Sequence, residues 1–317
     1  MKQEVLVTGA FYAPSMEWLD REFTTHRLFE AKDRATMLAE VGPRVRAIAG
    51  SGRSDATLIQ SLPKLEIVAN FGVGYDNVDA VAARARNVMV TNTPGVLNEA
   101  VADTTLSLIL AIERRVVAAD RYLRAGKWVA NGNYPLTRHL GDLKVGILGL
   151  GRIGKAIAKR VLAFGMQVQY HSRTRQTDVA FPYFPSVLEL AKASNVLVCI
   201  LPGGAGTRHI INEDVMKALG PTGTLVNVAR GSVVDTEALI RCLQNGSLGA
   251  AAIDVYDKEP ETPNAFWPLE NVVLTPHLGS ATHTTRKQMG DLVVKNLLEH
   301  FAGRPVLSAV PECADLK

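Results

Sequence analysis

The stretch Lys144-Val145-Gly146-Ile147-Leu148-Gly149-Leu150-Gly151-Arg152-Ile153-Gly154 reads as a buried strand that runs into a Gly-x-Gly-x-x-Gly turn and opens a helix. A helical pattern follows from Ile153 to Phe164, and a second apolar strand covers Met166–Tyr170. In that setting the spacing predicts a dinucleotide site. Gly149 permits the tight turn, Gly151 lets the main chain approach a pyrophosphate, and Gly154 lets helix and strand pack closely. The helix start offers unpaired N–H groups and a positive dipole end. Leu150, Arg152 and Ile153 belong to the same cofactor-binding turn.

An NAD-binding unit usually places an acid about 20 residues beyond the glycines, on the ribose hydroxyls. This chain instead reads His171-Ser172-Arg173-Thr174-Arg175. A carboxylate would repel a 2′-phosphate, whereas a guanidinium pairs with it through a planar fork and can stack on adenine. The expected cofactor is therefore NADP(H). Arg173 takes the phosphate, Ser172 and Thr174 add hydroxyl donors, and Arg175 is either a helper or a solvated charge.

At 317 residues two domains are the natural division. Composition is that of a globular protein, 47% hydrophobic and 21% charged. No apolar run is long enough to cross a bilayer and the first residues do not read as a secretion signal, so the expectation is a cytoplasmic protein without a membrane partner. Cys199, Cys242 and Cys313 lack metal-type or redox-type spacing, and no metal is expected. The net charge of +4 is mild and its basic residues are scattered, which gives nucleic-acid binding no support.

The N-terminal third alternates strand candidates (Val5–Thr8, Val45–Ala49, Ile67–Ala69, Val88–Val90) with short helices, a βαβ rhythm that predicts a parallel sheet. One long helix is expected from about Asn98 to Ala125, closed by Gly126, with a polar, aromatic loop over Lys127–Leu140. Six further strands follow: Val145–Leu148, Gln167–Tyr170, Val196–Ile200, Leu225–Val228, Ala251–Val255 and Val272–Leu274. The last helix covers Thr284–Phe301. The reading is α/β, with a doubly wound dinucleotide-binding domain at 98–282 inserted in a smaller, discontinuous domain of residues 1–97 and 283–317. Such an enzyme is expected to hold its substrate in the cleft between the domains.

In open α/β sheets ligands bind at the C-terminal strand ends. Four segments stand there: Leu201-Pro202, Asn227–Gly231, Asp254–Pro260 and Thr275–Gly279. Hydride transfer to a 2-oxo acid needs a cation on the carboxylate and carbonyl, an acid for the oxygen, and a group that keeps the acid charged and aimed. Arg230 fits the first role, though pairing with Asp235 is the plainer alternative. His277 fits the second. Glu259 fits the third, since an adjacent carboxylate favours imidazolium and fixes its orientation.

At this point the chain resembles the D-isomer-specific 2-hydroxyacid dehydrogenases, across essentially its full length. The resemblance rests on Asn70-Phe71-Gly72-Val73-Gly74-Tyr75-Asp76-Asn77-Val78-Asp79, on Asn92-Thr93-Pro94-Gly95 with Glu99-Ala100-Val101-Ala102-Asp103, and on Val226-Asn227-Val228-Ala229-Arg230-Gly231. Asp254-Val255-Tyr256 with Glu259-Pro260, and Thr275-Pro276-His277, complete it. It implies a smaller flavodoxin-like substrate domain beside the Rossmann-like one. It also implies that the amides of Val73 and Gly74 hold the substrate carboxylate with Arg230. The segment Ser51-Gly52-Arg53-Ser54, from its place after a strand, is read as lining the pocket, where Gly52 leaves room and Arg53 is available to a polar substrate tail. Cofactor roles are implied for Thr105 (or else a helix-interior threonine bonding its own backbone), Leu201, Pro202, Thr207, Val228, Ala229, Asp254 (the nicotinamide carboxamide), His277 and Gly279. Asp76 and Asp79 are read as turn and capping residues.

Within the family the Ser172-Arg173-Thr174 ending is similar to the NADPH-dependent glyoxylate/hydroxypyruvate reductase branch. Reduction of aromatic 2-oxo acids, of the hydroxyphenylpyruvate type, is the alternative. A non-enzymatic nucleotide sensor on the same fold is the alternative of another class. The resemblance further implies a homodimer through the nucleotide domain, around the loop that carries Trp128, Asn131 and Tyr134.

Overall fold

The structure is a computed structural model and describes residues 2–316. The chain divides into two compact units: the residues up to Leu97 together with those from Ala281 onward, and Asn98–Ser280. The first unit runs β1 (Glu4–Val7), α1 (Ala13–Glu22), β2 (Thr24–Arg27), α2 (Arg34–Val41), β3 (Ala47–Gly50), α3 (Ala56–Ser61), β4 (Ile67–Asn70), α4 (Ala80–Ala85), β5 (Met89–Thr91). Its five strands are all parallel, in the order β2-β1-β3-β4-β5. That is the flavodoxin arrangement. Every residue of β3, β4 and β5 is buried, as expected of parallel strands covered on both faces.

Aspartates start three of the helices: Asp33, Asp55 and Asp79 accept main-chain N–H bonds at the first turns of α2, α3 and α4. Each satisfies donors that a helix start leaves orphaned. Asp79 thus caps a helix, as read from the sequence. The edge strand β2 is absent from the sequence reading. Its residues, Thr-Thr-His-Arg, are polar and half-exposed, and it is ordered by pairing along β1 and by polar ties such as His26 to Glu4 at 2.9 Å.

The second unit runs α5 (Asn98–Glu113), α6 (Val116–Arg124), α7 (Lys127–Asn131), β6 (Lys144–Leu148), α8 (Arg152–Ala163), β7 (Gln167–His171), α9 (Val187–Ala193), β8 (Val196–Cys199), α10 (Glu213–Leu219), β9 (Thr224–Asn227), α11 (Thr236–Asn245), β10 (Ala250–Ile253), β11 (Val272–Leu274). The chain then returns to the first unit in α12 (His283–Phe301). The six strands are parallel in the order β11-β10-β9-β8-β6-β7. Alternate residues feed two cores: Val196 and Val198 of β8 face one, Leu197 and Cys199 the other. Strand order reverses between β6 and β8, so the crevice for a ligand opens where the glycine turn leaves β6.

The single helix expected over 98–125 is a correction: it breaks into α5 and α6 at Arg115, which takes a left-handed conformation (φ 49°). No glycine or proline marks the break. Glu113, just before it, is buried and ion-paired to Arg138 at 3.2 Å, so tertiary contacts rather than local propensity end the helix. The loop expected from Lys127 begins instead as α7, set between Gly126 and Gly132, both at positive φ.

Candidate active site

The residues proposed for chemistry lie at strand ends of the second unit. His277 follows β11 at φ 53°, a conformation uncommon for a residue with a Cβ. Asp254, after β10, holds it there. The Asp254 carbonyl accepts the His277 N–H at 2.9 Å. Its carboxylate accepts the Thr275 hydroxyl (2.6 Å), the Leu278 N–H (2.7 Å) and the Gly279 N–H (2.9 Å). With only 1% of Asp254 exposed, these bonds form away from water and over-determine the strained turn.

The His277 ring presents Nδ1 to Glu259 Oε2 at 2.7 Å. The other oxygen of Glu259 accepts the Tyr256 N–H at 3.0 Å. Both side chains stay partly open, 45% exposed for His277 and 35% for Glu259. Burial pushes the Glu259 carboxyl up, but the His277 hydrogen bond, the Tyr256 N–H and the charges of His277 and Arg230 outweigh it, so its pKa lies below the ordinary value. Glu259 is an ionised acceptor at neutral pH. The ring's Nε2 has no hydrogen-bond partner among the described residues and is the nitrogen left to meet a ligand.

Arg230 is turned by Asn227, whose amide donates to the Arg230 carbonyl (2.9 Å) and accepts from the Ala229 N–H (3.1 Å). Asp235, the alternative partner for Arg230, accepts from Ala238 N–H at 3.0 Å as the cap of α11. Arg230 is close enough to Glu259 to depress its pKa, which puts guanidinium, imidazole and carboxylate in one electrostatic group.

The glycine turn has the form a pyrophosphate requires. Gly149 sits at φ 104°, and a Cβ there would collide with the Ile200 carbonyl. A Cβ on Gly154 would collide with the Gly149 carbonyl, so helix and strand pack as closely as the motif implied. Gly151 is the N-cap of α8 with no side chain to satisfy the first-turn N–H groups, and a Cβ there would meet nothing within 4 Å. Open space in front of unsatisfied donors fits a phosphate. Beyond β7, Ser172 donates to the Thr174 carbonyl at 2.7 Å, and Tyr170 fixes the loop through the Gln176 N–H at 2.8 Å. Arg173 and Arg175 are exposed and have no ion-pair partner among the described residues. The nearby Asp178 is engaged by Lys155 at 2.5 Å. The donor set therefore fits NADP: Gly149–Gly154 would hold the pyrophosphate, and the exposed Arg173 with the Thr174 hydroxyl would take the 2′-phosphate, while the Ser172 proton is engaged by the Thr174 carbonyl.

In the first unit, the loop after β4 presents main-chain donors. The N–H groups of Val73 and Gly74 bond to nothing among the described residues, while the carbonyls of residues 72–74 are all taken by amide or main-chain donors.

Residues 106–279 match the NAD binding domain of the D-isomer specific 2-hydroxyacid dehydrogenases. A glyoxylate/hydroxypyruvate reductase of Arabidopsis thaliana is 46% identical over 92% of this chain and 94% of its own. A hydroxyphenylpyruvate reductase of Plectranthus scutellarioides is 46% identical over the same shares. The solved NADPH-dependent glyoxylate/hydroxypyruvate reductase of Sinorhizobium meliloti, in complex with NADP and malonate, superposes with a TM-score of 0.94. It is 44% identical, over 100% of this chain and 99% of that one. The chain belongs to the D-isomer specific 2-hydroxyacid dehydrogenase family.

In this dehydrogenase several of the residues singled out from the sequence have partners within the fold. Thr105 is fully buried and its hydroxyl donates to the Val101 carbonyl at 2.7 Å within α5, the bond a helix-interior threonine makes to its own main chain. A Cβ on Gly52 would collide with the Thr8 carbonyl, so the fold itself requires a glycine there. Arg53 pairs with Asp55 at 3.1 Å and is 80% exposed. Leu150, Val228 and Ala229 put their side chains into the cores, which leaves only their main chain for a cofactor. Thr207 spends its hydroxyl on the Pro202 carbonyl at 2.8 Å. Leu201 is half-buried, and Gly279 donates its N–H to Asp254.

Two contributions were missed from the sequence. Asp254 as the brace of the His277 turn was hidden because a buried aspartate after a strand reads equally well as a ligand contact. The asparagines that hold the loop at 72–74 were hidden because Asn is an ordinary turn residue.

Proposed function

We propose that this dehydrogenase reduces small 2-oxo acids, glyoxylate or hydroxypyruvate first, to 2-hydroxy acids (glycolate, D-glycerate) with NADPH. The observation that carries the proposal is the 2.7 Å His277–Glu259 pair with Nε2 left open. Such a pair has little purpose in a protein that only senses nucleotides. In the second unit the Arg230 fork suits the substrate carboxylate and polarises the C2 carbonyl; in the first, the Val73 and Gly74 N–H groups are donors suited to a carboxylate. Glu259 aims the ring through Nδ1, and His277 passes a proton from Nε2 to the carbonyl oxygen. NADPH, when bound, supplies the hydride that C2 gains. The Asp254 Oδ2 atom accepts one bond and has a lone pair for the carboxamide.

The same reading takes the protein to be a cytoplasmic homodimer. Its support is a group of exposed apolar side chains on the segment that begins the second unit: Val116, Leu123, Trp128, Val129 and Leu136. An apolar set of this kind on a soluble fold suits a partner surface.

Initial rates of cofactor oxidation test the proposal, with NADPH and NADH each crossed against glyoxylate, hydroxypyruvate, pyruvate and phenylpyruvate. Fast NADPH-dependent turnover of the first two is the expected result. The similarity to the hydroxyphenylpyruvate reductase favours a second reading, and a preference for phenylpyruvate would select it. Tight cofactor binding with no turnover of any 2-oxo acid would contradict both.

A further inference from the structure

A carboxylate can be held by the Val73 and Gly74 N–H groups only if the carbonyls of the same loop face elsewhere. A peptide flip would put an oxygen where a nitrogen is needed, and an oxygen repels the anion. In the first unit each of these carbonyls has its own donor. The Asn70 side-chain nitrogen donates to the Gly72 carbonyl (3.2 Å) and the Gly74 carbonyl (3.1 Å). The Asn92 nitrogen donates to the Val73 carbonyl at 2.8 Å. The Thr93 N–H adds a second bond to Gly72 at 2.9 Å.

The Asn70 amide has no choice of orientation. Its oxygen accepts the Asn77 side-chain N–H at 3.1 Å, so a flipped amide would set two donors face to face and its one oxygen against the Gly72 and Gly74 carbonyls. Asn70 is 2% exposed, where these bonds escape competition from water. Asn77 extends the tie by donating also to the Ser51 (3.0 Å) and Gly52 (3.1 Å) carbonyls, which joins the loops after β3 and β4. Asn92 is anchored in turn, its own carbonyl accepting the Ser308 hydroxyl at 2.7 Å.

We infer that Asn70, supported by Asn77 and Asn92, is the positioning residue of the carboxylate site: it fixes the peptide planes of residues 72–74 so that N–H groups, not carbonyls, meet the anion. The inference rests on the reading of this loop as the carboxylate site. It assigns these side chains no contact with substrate. They act through the main chain, so their loss weakens carboxylate docking before it touches the cofactor.

The test uses Asn70→Ser, whose side chain is too short to bridge both carbonyls, and Asn92→Ala, which removes the single donor to Val73 from a less buried position. Oxalate is titrated calorimetrically onto NADPH-saturated enzyme, and KM and kcat for glyoxylate are measured alongside NADPH affinity. Oxalate affinity and KM should worsen roughly ten- to a hundred-fold, with kcat and NADPH affinity changed by no more than about two-fold. Unchanged oxalate affinity in either folded variant would overturn the inference, as would a loss of NADPH affinity in step with oxalate. Absence of oxalate binding by the wild-type enzyme would overturn it too. Wild-type enzyme that binds oxalate but reduces no 2-oxo acid would refute the proposed reaction, while the variants' oxalate affinities would still decide the inference.

Discussion

The two units share a strand plan and differ in what they offer a ligand. Both are parallel sheets that begin with the same spatial order, the second strand outside the first and the third, fourth and fifth beyond it; the second unit adds one strand. In the second unit the groups proposed for chemistry are side chains, the Arg230 fork, the Glu259 carboxylate and the His277 ring, set on turns braced by Asn227 and Asp254. In the first unit the offered groups are two main-chain N–H donors, and the side chains nearby serve only to aim them. The difference teaches that one topology can present chemistry in two ways. A side chain brings its own charge and titration, while a peptide donor brings none and depends wholly on what holds its plane.

The comparison breaks first at His277. His277→Ala should lower kcat by about 10²- to 10⁴-fold, the range for a lost general acid, with NADPH affinity nearly unchanged. Steady-state rates and fluorescence titration of NADPH check this, and loss of cofactor binding without loss of chemistry would remove His277 from the acid role. Asp254→Asn comes next. It replaces an acceptor oxygen that serves buried N–H groups, and should cost roughly 1–3 kcal/mol of stability together with about ten-fold or more in kcat. A melting curve and rates at saturating substrate read the two effects, and an unchanged kcat would mean that the His277 turn does not need its brace.

Glu259→Gln should reduce kcat about ten- to a hundred-fold. Its pH behaviour follows from the sign of the shift. The folded-state pKa lies below the unfolded one, so the ionised carboxylate favours the folded state above the ordinary glutamate value, and the benefit fades as pH falls through the lowered value. The gap in melting temperature between wild type and Glu259→Gln should therefore shrink on going from pH 7 to about pH 4. A gap that widens would contradict the assigned direction. The smallest effect is expected at the exposed Arg173: Arg173→Ala should weaken NADPH about ten-fold and leave NADH within about two-fold. Equal weakening of both cofactors would remove Arg173 from the 2′-phosphate.

Much of this was legible in the chain because it depends on local pattern. The glycines at 149 and 154 are dictated by close main-chain approach, and Gly151 leaves open space before the helix start, so the motif names its own geometry. The buried strands read directly as apolar runs. What stayed hidden depends on partners distant in sequence. β2 has no apolar pattern and exists because β1 offers it an edge. The break at Arg115 follows from Glu113 meeting Arg138, a contact no helix propensity encodes. Thr105 is polar, yet its place on α5 turns it inward. Asn70 and Asn92 are far apart in the chain and act on one loop only after β4 and β5 lie side by side.

The most direct test of the central claim is product analysis. The purified enzyme is given NADPH and hydroxypyruvate, and the glycerate formed is resolved on a chiral column and compared with the NADPH consumed. The account predicts D-glycerate in one-to-one proportion to NADPH oxidised. L-glycerate, or NADPH oxidation without glycerate, would contradict it.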